Sequence, residues 1–326
     1  MTVTEQQHTQ MYVHTYAYRF RLRHDPDFTF FDVIADAHRR GFDGINVSVY
    51  GPSYTELSGH TPRHFANIHA ALSEAGLGID IETNGTEPKH LQDLLRIGEQ
   101  LGAENLRTYT TGPLDRRARV EEAVTNLSAA APIAAEHGIH LLLENHEELD
   151  CTEVATVLEA VNSPWVRSLF DYGNDMMLNS HPLHTLGAVL PWVTSAHLKD
   201  QIVYTSNGTT ARHTLGVPIG QGQLPVREIT KLLIDAGVTR ICFENTWAYI
   251  APINGFDDGT EYPDGAFVPQ PLPSDDPRYC TNAETLERNH HPQSLLDTEP
   301  RMLDESCAGL RTVLADLPIT LPTVPR

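Results

Sequence analysis

Two hydrophobic rhythms alternate along this chain. Short runs rich in β-branched or aromatic residues give way to amphipathic stretches that close on glycine. YVHTYAY (12–18) leads into FFDVIADAHRRG, GINVSVY (44–50) into HFANIHAALSEAG, and GIDIETN (78–84) into LQDLLRIGEQLG. NLRTYTTG (105–112) precedes the long helical pattern RARVEEAVTNLSAAAPIAAEHG, where Pro132 predicts a kink or break because it lacks an N–H. HLLLENH (140–146), VRSLFDYGN (166–174), SAHLKDQ (195–201) and RICFENT (240–246) continue the series. Strand-like runs followed by helix-period stretches are the signature of βα units.

Eight such units, with strand starts 26 to 45 residues apart, predict parallel strands joined by crossover helices. Their number points to a (β/α)8 TIM barrel. A doubly wound open sheet is the alternative, but no GxGxxG follows the first strand. The expected organisation is one domain over 1–326, with residues 1–10 as a flexible N-terminus. A long Pro/Asp/Gly-rich insertion at 247–299 follows strand eight, and a helix at 302–317 closes the barrel. Such an insertion is expected to lid the site or dock a partner, with a surface excursion of no function as the alternative.

The chemistry gathers where the strands end. LLLENHE (141–147) runs three leucines into Glu144, Asn145, His146 and Glu147. Glu144 and His146 are two residues apart, so an extended strand points both to one face. Barrel active sites lie at the C-terminal ends of the strands. There strand six delivers Asp171, strand seven His197 and Lys199, and strand eight Glu244. Four adjacent strands thus each offer an oxygen or imidazole donor, a set that suits Mn²⁺, Co²⁺, Mg²⁺ or Zn²⁺. His146 is the nearest uncommitted imidazole, with an unperturbed pKa suited to proton transfer; its alternative role is to orient a metal ligand. Lys199 is a candidate for stabilising an enolate or for pairing with a carboxylate. His14, between Tyr12 and Tyr16, is a polar handle on a pocket wall or a satisfied core histidine. Glu82 and Asn84 are candidates for binding sugar hydroxyls, with a helix cap as the alternative for Asn84. Trp247 and Tyr249 are candidates for stacking on a ring. Gly220–Gln221–Gly222 is expected to form a tight turn at the rim.

Composition narrows the partners. The 326 residues are 40% hydrophobic and 20% charged, as in an ordinary globular protein. Acidic residues outnumber basic ones 43 to 23, for a net charge of -20, which argues against a nucleic-acid partner. Cys151, Cys242, Cys280 and Cys307 have no metal-finger spacing and read as thiols of a reducing cytoplasm. The polar start MTVTEQQHTQ lacks a signal-peptide core, and no apolar run reaches the ~18 residues of a membrane span.

LLLENH, LFDYGN, AHLKD, GVPIGQGQL and ICFEN together resemble the xylose-isomerase-like barrel superfamily, over most of residues 11–246. That superfamily holds sugar isomerases, ketose 3-epimerases and inosose dehydratases. The resemblance implies that Glu144, Asp171, His197 and Glu244 hold one divalent ion. In the 3-epimerases the two glutamates also move protons. The histidine those enzymes carry three residues after the strand-six aspartate is Asn174 here, a candidate substrate contact. The apurinic endonucleases of the superfamily need more histidines and a DNA-binding face, and the Lys-x-Glu element of two-metal xylose isomerases is absent. HTYAYRF, ENHE and the Pro-rich insertion resemble the large subunit of 3-oxo-C-glycoside deglycosidases. That likeness implies Mn²⁺, a smaller partner subunit, and His146 as the acid/base. The expected activity is metal-dependent cleavage of a 3-oxo-glycoside by proton abstraction next to the carbonyl and loss of the aglycone. A sugar isomerase or 3-epimerase with Glu144 and Glu244 as the catalytic pair is the first alternative. A non-catalytic sugar-binding barrel, in a homo-oligomer or with a partner subunit, is the second.

Overall fold

The computed structural model describes residues 8–49, 55–112, 115–178, 180–205, 212–253, 267–270 and 292–325. Eight parallel strands close into a barrel: β1 (Gln10–His14), β2 (Gly44–Ser48), β3 (Gly78–Glu82), β4 (Asn105–Thr108), β5 (His140–Glu144), β6 (Val166–Asp171), β7 (Val193–Leu198) and β10 (Arg240–Phe243). Around the ring β10, β7, β6 and β5 are consecutive neighbours. The strands predicted to carry the donors are therefore adjacent, as the expected order requires.

Local chemistry explains the units. The helices Phe30–Arg40, Pro62–Ala75, Pro88–Leu101 and Arg116–His137 end on Gly41, Gly76, Gly102 and Gly138, each in the left-handed conformation that caps a helix at low steric cost. Those are the glycines that close the amphipathic stretches in the sequence. The Arg116–His137 helix runs unbroken through Pro132, because its buried alanine face holds it against the barrel.

The β5 leucines split between two environments. Leu141 and Leu143 join the large apolar cluster between strands and helices, while Leu142 lies outside that cluster and shares the inward parity of Glu144. The barrel interior is polar at its lower end too. Arg240 donates to both Asp80 carboxylate oxygens at 2.9 Å, Asn105 Nδ2 adds contacts at 3.0 and 3.1 Å, and the Arg240 guanidinium covers the Tyr12 ring. Tyr12 therefore plugs the barrel floor rather than lining a ligand pocket. A Cβ at Gly44 would collide with its ring and one at Gly78 with its hydroxyl, which is why β2 and β3 both start on glycine.

The segments after β7 and β10 differ from expectation. Between β7 and β10, where the sequence pattern gives no further strand, the chain forms β8 (Gln201–Thr205) and β9 (Arg212–Gly216), and β11 (Ile250–Pro252) pairs with β9 in a separate three-stranded antiparallel sheet. Ile202, Tyr204, Leu215 and Ile250 give that sheet its own small core. The predicted turn at Gly220–Gly222 is folded onto Asp200, whose carboxylate accepts from the N–H groups of Gly220 and Gly222 at 2.9 Å. The closing helix, α10 (Pro292–Val313), starts ten residues earlier than the predicted 302, inside the segment expected to be irregular. Glu299 on α10 accepts from the Phe20 N–H at 2.7 Å and from Arg21, and this anchor extends the helix backwards. Of the expected flexible terminus and insertion, residues 1–7, 254–266 and 271–291 lie outside the described residues. Among the described residues no helix is long and apolar enough to cross a membrane. Cys151, Cys242 and Cys307 are free, buried thiols.

Candidate active site

At the C-terminal mouth of the barrel the strands end on charge. Glu144, the last residue of β5, and Asp171, the last of β6, both face inward with almost no exposed surface. Asn145 points the other way. Its Oδ1 accepts from Asp171 N at 2.7 Å, and its Nδ2 donates to Asp171 O at 3.1 Å and to Asp175 Oδ1 at 2.9 Å. The alternation in Glu144–Asn145 therefore separates a site residue from a clamp between two strands.

Donor atoms of Glu144, Asp171 and His197 all lie within 4.8 Å of one another. His197 Nδ1 is 3.2 Å from Glu144 Oε1 and 3.8 Å from Asp171 Oδ2. Asp171 is oriented by the N–H groups of Gly173 and Asn174, both at 2.8 Å from its Oδ1. Glu244 follows β10 but is not in direct reach of this group. Lys199 Nζ stands between, 2.8 Å from Asp171 Oδ2 and 2.7 Å from Glu244 Oε2. The expected four-donor set is thus three donors in contact and a fourth joined through an ammonium. Of the two roles expected of Lys199, the structure displays the pairing.

Glu82 occupies a place the sequence did not suggest. It is buried outside the cavity lining with both oxygens taken by neighbouring side chains, which leaves none for the expected contact with substrate hydroxyls. Its Oε1 accepts from His197 Nε2 at 2.7 Å and Asn46 Nδ2 at 2.8 Å, and its Oε2 from His14 Nε2 at 2.7 Å and from Arg107. Burial pushes its carboxyl up, but Arg107 and the two histidines outweigh that and hold it well below the usual range. His14 is also fully used. Its Nδ1 accepts from Tyr16 N at 2.8 Å while Nε2 serves Glu82, so it lines the cavity without a free ring nitrogen. The satisfied-histidine alternative describes it better than the polar handle.

A cavity of about 380 Å³ opens above the donors. His146, Asn174, Lys199, Glu244, Arg107 and Glu56 line it, together with the rings of Tyr16, Tyr109 and Tyr249. His146 lies past the end of β5, where its N–H turns back to Glu144 O at 3.0 Å, so a turn places it in the cavity rather than strand alternation. Its Nδ1 is 2.7 Å from Glu148 Oε2. A carboxylate only accepts, so Nδ1 carries a hydrogen and Nε2 is the ring atom left for exchange. Burial pushes this ring down, yet Glu148 and Glu144 outweigh it and raise its pKa above the ordinary 6.5. Asn174 bridges Glu144 Oε1 and Lys199 Nζ with weak contacts of 3.4 Å each.

Two expected substrate residues lie elsewhere. Trp247 is absent from the cavity and packs edge-on to Phe20 at 5.9 Å, with Leu295 and Met302 of α10. The chain turns sharply at Ala248, whose φ is 66°, and carries the indole away from the mouth. Tyr249 faces the cavity instead, with its hydroxyl on Glu147 Oε1 at 2.7 Å. Asn84 lies past the end of β3, exposed and outside the cavity lining, and the cap of the following helix is Glu87. Arg107, Asn46, Glu56 and Tyr109 were missed. A signal existed for Arg107, a cation placed inside the short strand NLRT.

The charges at this mouth fit a divalent cation. Glu82, Glu144, Asp171 and Glu244 face two permanent cations, Arg107 and Lys199, which leaves two negative charges when the histidines are neutral. Glu144 Oε2, Asp171 Oδ2 and Glu244 Oε2 are buried oxygens with no hydrogen bond of good geometry, although cations stand near. Burial pushes His197 down, but Glu82 and Glu144 carry it up to about 10. An imidazolium there and a divalent ion answer the same electrostatic demand. Burial raises Asp171, opposed by Lys199 and reinforced by Glu144 and Glu244. Of the candidate donor groups, His14–Glu82–His197 is saturated by internal hydrogen bonds, whereas in Glu144–Asp171–His197 the oxygens Glu144 Oε2 and Asp171 Oδ2 meet only the cations of Arg107 and Lys199.

The sequence profile of the xylose isomerase-like TIM barrel family matches residues 34–264. The chain belongs to this family. It is 22% identical over 258 residues to the uncharacterized protein YihM of Escherichia coli, covering 78% of each chain. It is 22% identical over 171 residues to a 3-oxo-isoapionate decarboxylase of Pectobacterium atrosepticum, covering 52% of this chain and 62% of that one. A solved D-psicose 3-epimerase, crystallised in the presence of D-fructose, matches with a TM-score of 0.63 at 13% identity, covering 94% of this chain and 99% of that one. At that identity the likeness is one of fold.

Proposed function

We propose that this chain is a divalent-metal-dependent lyase that cleaves a 3-oxo-glycoside, including C-glycosides, into an unsaturated keto-sugar and its aglycone. The observation that carries this reading is His146. Its exchangeable Nε2 stands in a tyrosine-lined cavity directly above open carboxylate donors. The decarboxylase relative, named for a 3-oxo sugar acid, supports chemistry beside a ketone. Glu144, Asp171, His197 and Glu244 are the residues that hold the ion in this reading, with Mn²⁺ favoured and Mg²⁺, Co²⁺ or Zn²⁺ compatible. When bound, the ion supplies Lewis-acid polarisation of the ketone oxygen, which acidifies the adjacent C–H.

The rest falls to the chain's own groups. His146 Nε2 removes the proton from sugar C2. That electron pair forms the C1–C2 double bond, and the bond from C1 to the aglycone breaks with its pair on the aglycone. The protonated imidazole then returns the proton to the aglycone, so one ring serves as base and acid. Lys199 keeps Asp171 and Glu244 paired and ionised. Tyr16, Tyr109 and Tyr249 exclude water around the leaving group. Oxidation of the sugar at C3 is supplied beforehand by a separate oxidising reaction, and a smaller partner subunit completes the assembly.

The test is NMR in D₂O with added Mn²⁺, on a 3-oxo-glycoside and separately on a plain ketose. Aglycone release from the oxo-glycoside is expected. Deuterium entering beside the carbonyl without release replaces this reading with an isomerase or 3-epimerase that uses Glu144 and Glu244. No exchange on either compound leaves a binding barrel without turnover.

A further inference from the structure

We propose that Glu82 is the positioning residue of the ion site, fixing His197 so that Nδ1 is its ligand atom and tying Arg107 to Glu144. The proposal rests on the metal reading above. It accounts for a strand that reaches the site only through this side chain. β3 supplies no open donor, yet its last residue sits at the centre of five strands: His14 from β1, Asn46 from β2, Arg107 from β4 and His197 from β7 all converge on it.

The hydrogen bonds dictate the roles. A carboxylate that already takes Asn46, Arg107 and His14 as donors only accepts, so His197 must present Nε2–H to Glu82 Oε1. The lone pair of the neutral ring then lies on Nδ1, the atom facing Glu144 and Asp171. A metal-bound imidazole whose second nitrogen donates to a carboxylate is a more basic and better oriented ligand. Arg107 does the parallel work for Glu144, with its Nε 3.3 Å from Glu144 Oε2 while the same guanidinium is held by Glu82.

Glu82 could instead be read as holding a second ion with His14 and His197, whose donor atoms also cluster within 4.8 Å. The hydrogen bonds argue against it. Glu82 takes two donors on each oxygen, and His14 has both nitrogens engaged. A second ion would have to displace at least two of these bonds from a fully enclosed residue.

The test titrates Mn²⁺ into the full chain and follows the free ion by electron paramagnetic resonance. The wild type is expected to bind one ion. Glu82→Gln is expected to weaken it by roughly 10–100-fold, because an amide must present a donor where two of its four partners also donate. Glu82→Asp, which keeps the charge, is expected to recover part of that loss. Unchanged affinity in a folded Glu82→Gln overturns the positioning role and leaves the metal reading standing. Two ions in the wild type and one in the variant overturn it in favour of the second-ion reading. A wild type that binds no ion removes the metal reading and this role with it. Independently of how Glu82→Gln folds, ¹⁵N-histidine spectra of the Zn²⁺-loaded wild type test the same assignment. His197, assigned with His197→Gln, is expected to show metal on Nδ1 and hydrogen on Nε2; the reverse overturns the proposal.

Discussion

His146 lies flat on Tyr109, with ring centroids 3.8 Å apart and planes 7° from parallel. The stack and the Nδ1 contact to Glu148 leave the ring one orientation, with Nε2 as its free atom. A group held this way is expected to act, in the proposed reaction, through proton transfer rather than through ion binding. His146→Ala is expected to lower turnover of a 3-oxo-glycoside by about 10²–10⁴-fold while Mn²⁺ stoichiometry stays at the wild-type value. Steady-state kinetics beside metal analysis of the same preparation decides it. Full activity in the variant removes His146 from the mechanism and moves proton transfer to Glu144 and Glu244.

Lys199 gives a prediction of opposite sign for metal and fold. Its ammonium neutralises Asp171 and Glu244 at 2.8 and 2.7 Å, so it opposes a cation that would share those carboxylates. Unit charges 4 Å apart interact by ~4 kcal/mol at an effective dielectric near 20. Lys199→Met is therefore expected to tighten Mn²⁺ binding by roughly tenfold or more. The same change should lower the stability of the metal-free chain, because two buried carboxylates lose their partner. Calorimetric titration and urea unfolding in chelator read the two effects separately. Weaker Mn²⁺ binding would show that the lysine supports the ion rather than competing with it.

The ion should also stabilise the fold. In the proposed site its donors come from the ends of β5, β6 and β7, with Glu244 just past β10 joined through Lys199, so unfolding is expected to release it. A ligand present at 100 times its dissociation constant adds ~2.7 kcal/mol to unfolding. Dialysis against a chelator should lower the melting midpoint, and Mn²⁺ should restore it in wild type but not in Asp171→Asn. A midpoint that ignores both treatments would mean that these carboxylates serve only the internal ion pairs.

The barrel and the gathering of Glu144, Asp171 and His197 at its mouth were legible because both depend on local pattern. Repeating βα units set the strand order, and parity at the strand ends put Glu144, Asp171 and His197 on the inner face. Roles that depend on distant strands were not legible. Glu82 looked like a substrate contact because nothing near it in the chain announces His14, Asn46, Arg107 or His197. His146 was placed in the cavity by extending the strand two residues too far, and a turn delivered it there. The same extension failed at Asn84, which ends exposed, and at Trp247, which the turn at Ala248 carries off the site.

Asn145 shows how much of the site geometry depends on one amide. It satisfies the backbone N–H and carbonyl of Asp171 and a carboxylate oxygen of Asp175, all out of contact with water. Asn145→Ala leaves the Asp171 N–H and carbonyl without this partner, while Asp175 keeps Thr185 and Cys151, at about 1–3 kcal/mol for each buried group that finds no water. A loss of roughly 3 kcal/mol in urea unfolding is expected, with weaker Mn²⁺ binding because Asp171 loses its register with Glu144. Asn145→Asp should do no better, since it puts a second carboxylate against Asp175.

Trp247 and Tyr249 separate packing from recognition within three residues. The indole of Trp247 is buried among Phe20, Leu295 and Met302, where it joins the segment after β10 to α10. Truncating a buried tryptophan costs about 3–5 kcal/mol, partly as lost transfer energy and partly as a cavity. Trp247→Ala should therefore lower the unfolding free energy by that amount and leave KM unchanged at temperatures where the variant is folded. Tyr249→Phe should behave in the reverse way. It keeps the ring beside Tyr16 and removes only the hydroxyl bond to Glu147, so stability changes little, by about 1 kcal/mol. The freed ring can tilt in the cavity wall, and KM for the aglycone-bearing substrate is expected to rise while kcat for proton exchange is kept. A raised KM in Trp247→Ala with an unchanged one in Tyr249→Phe would return the indole to the substrate's path and require a different course for residues 246–249 in solution.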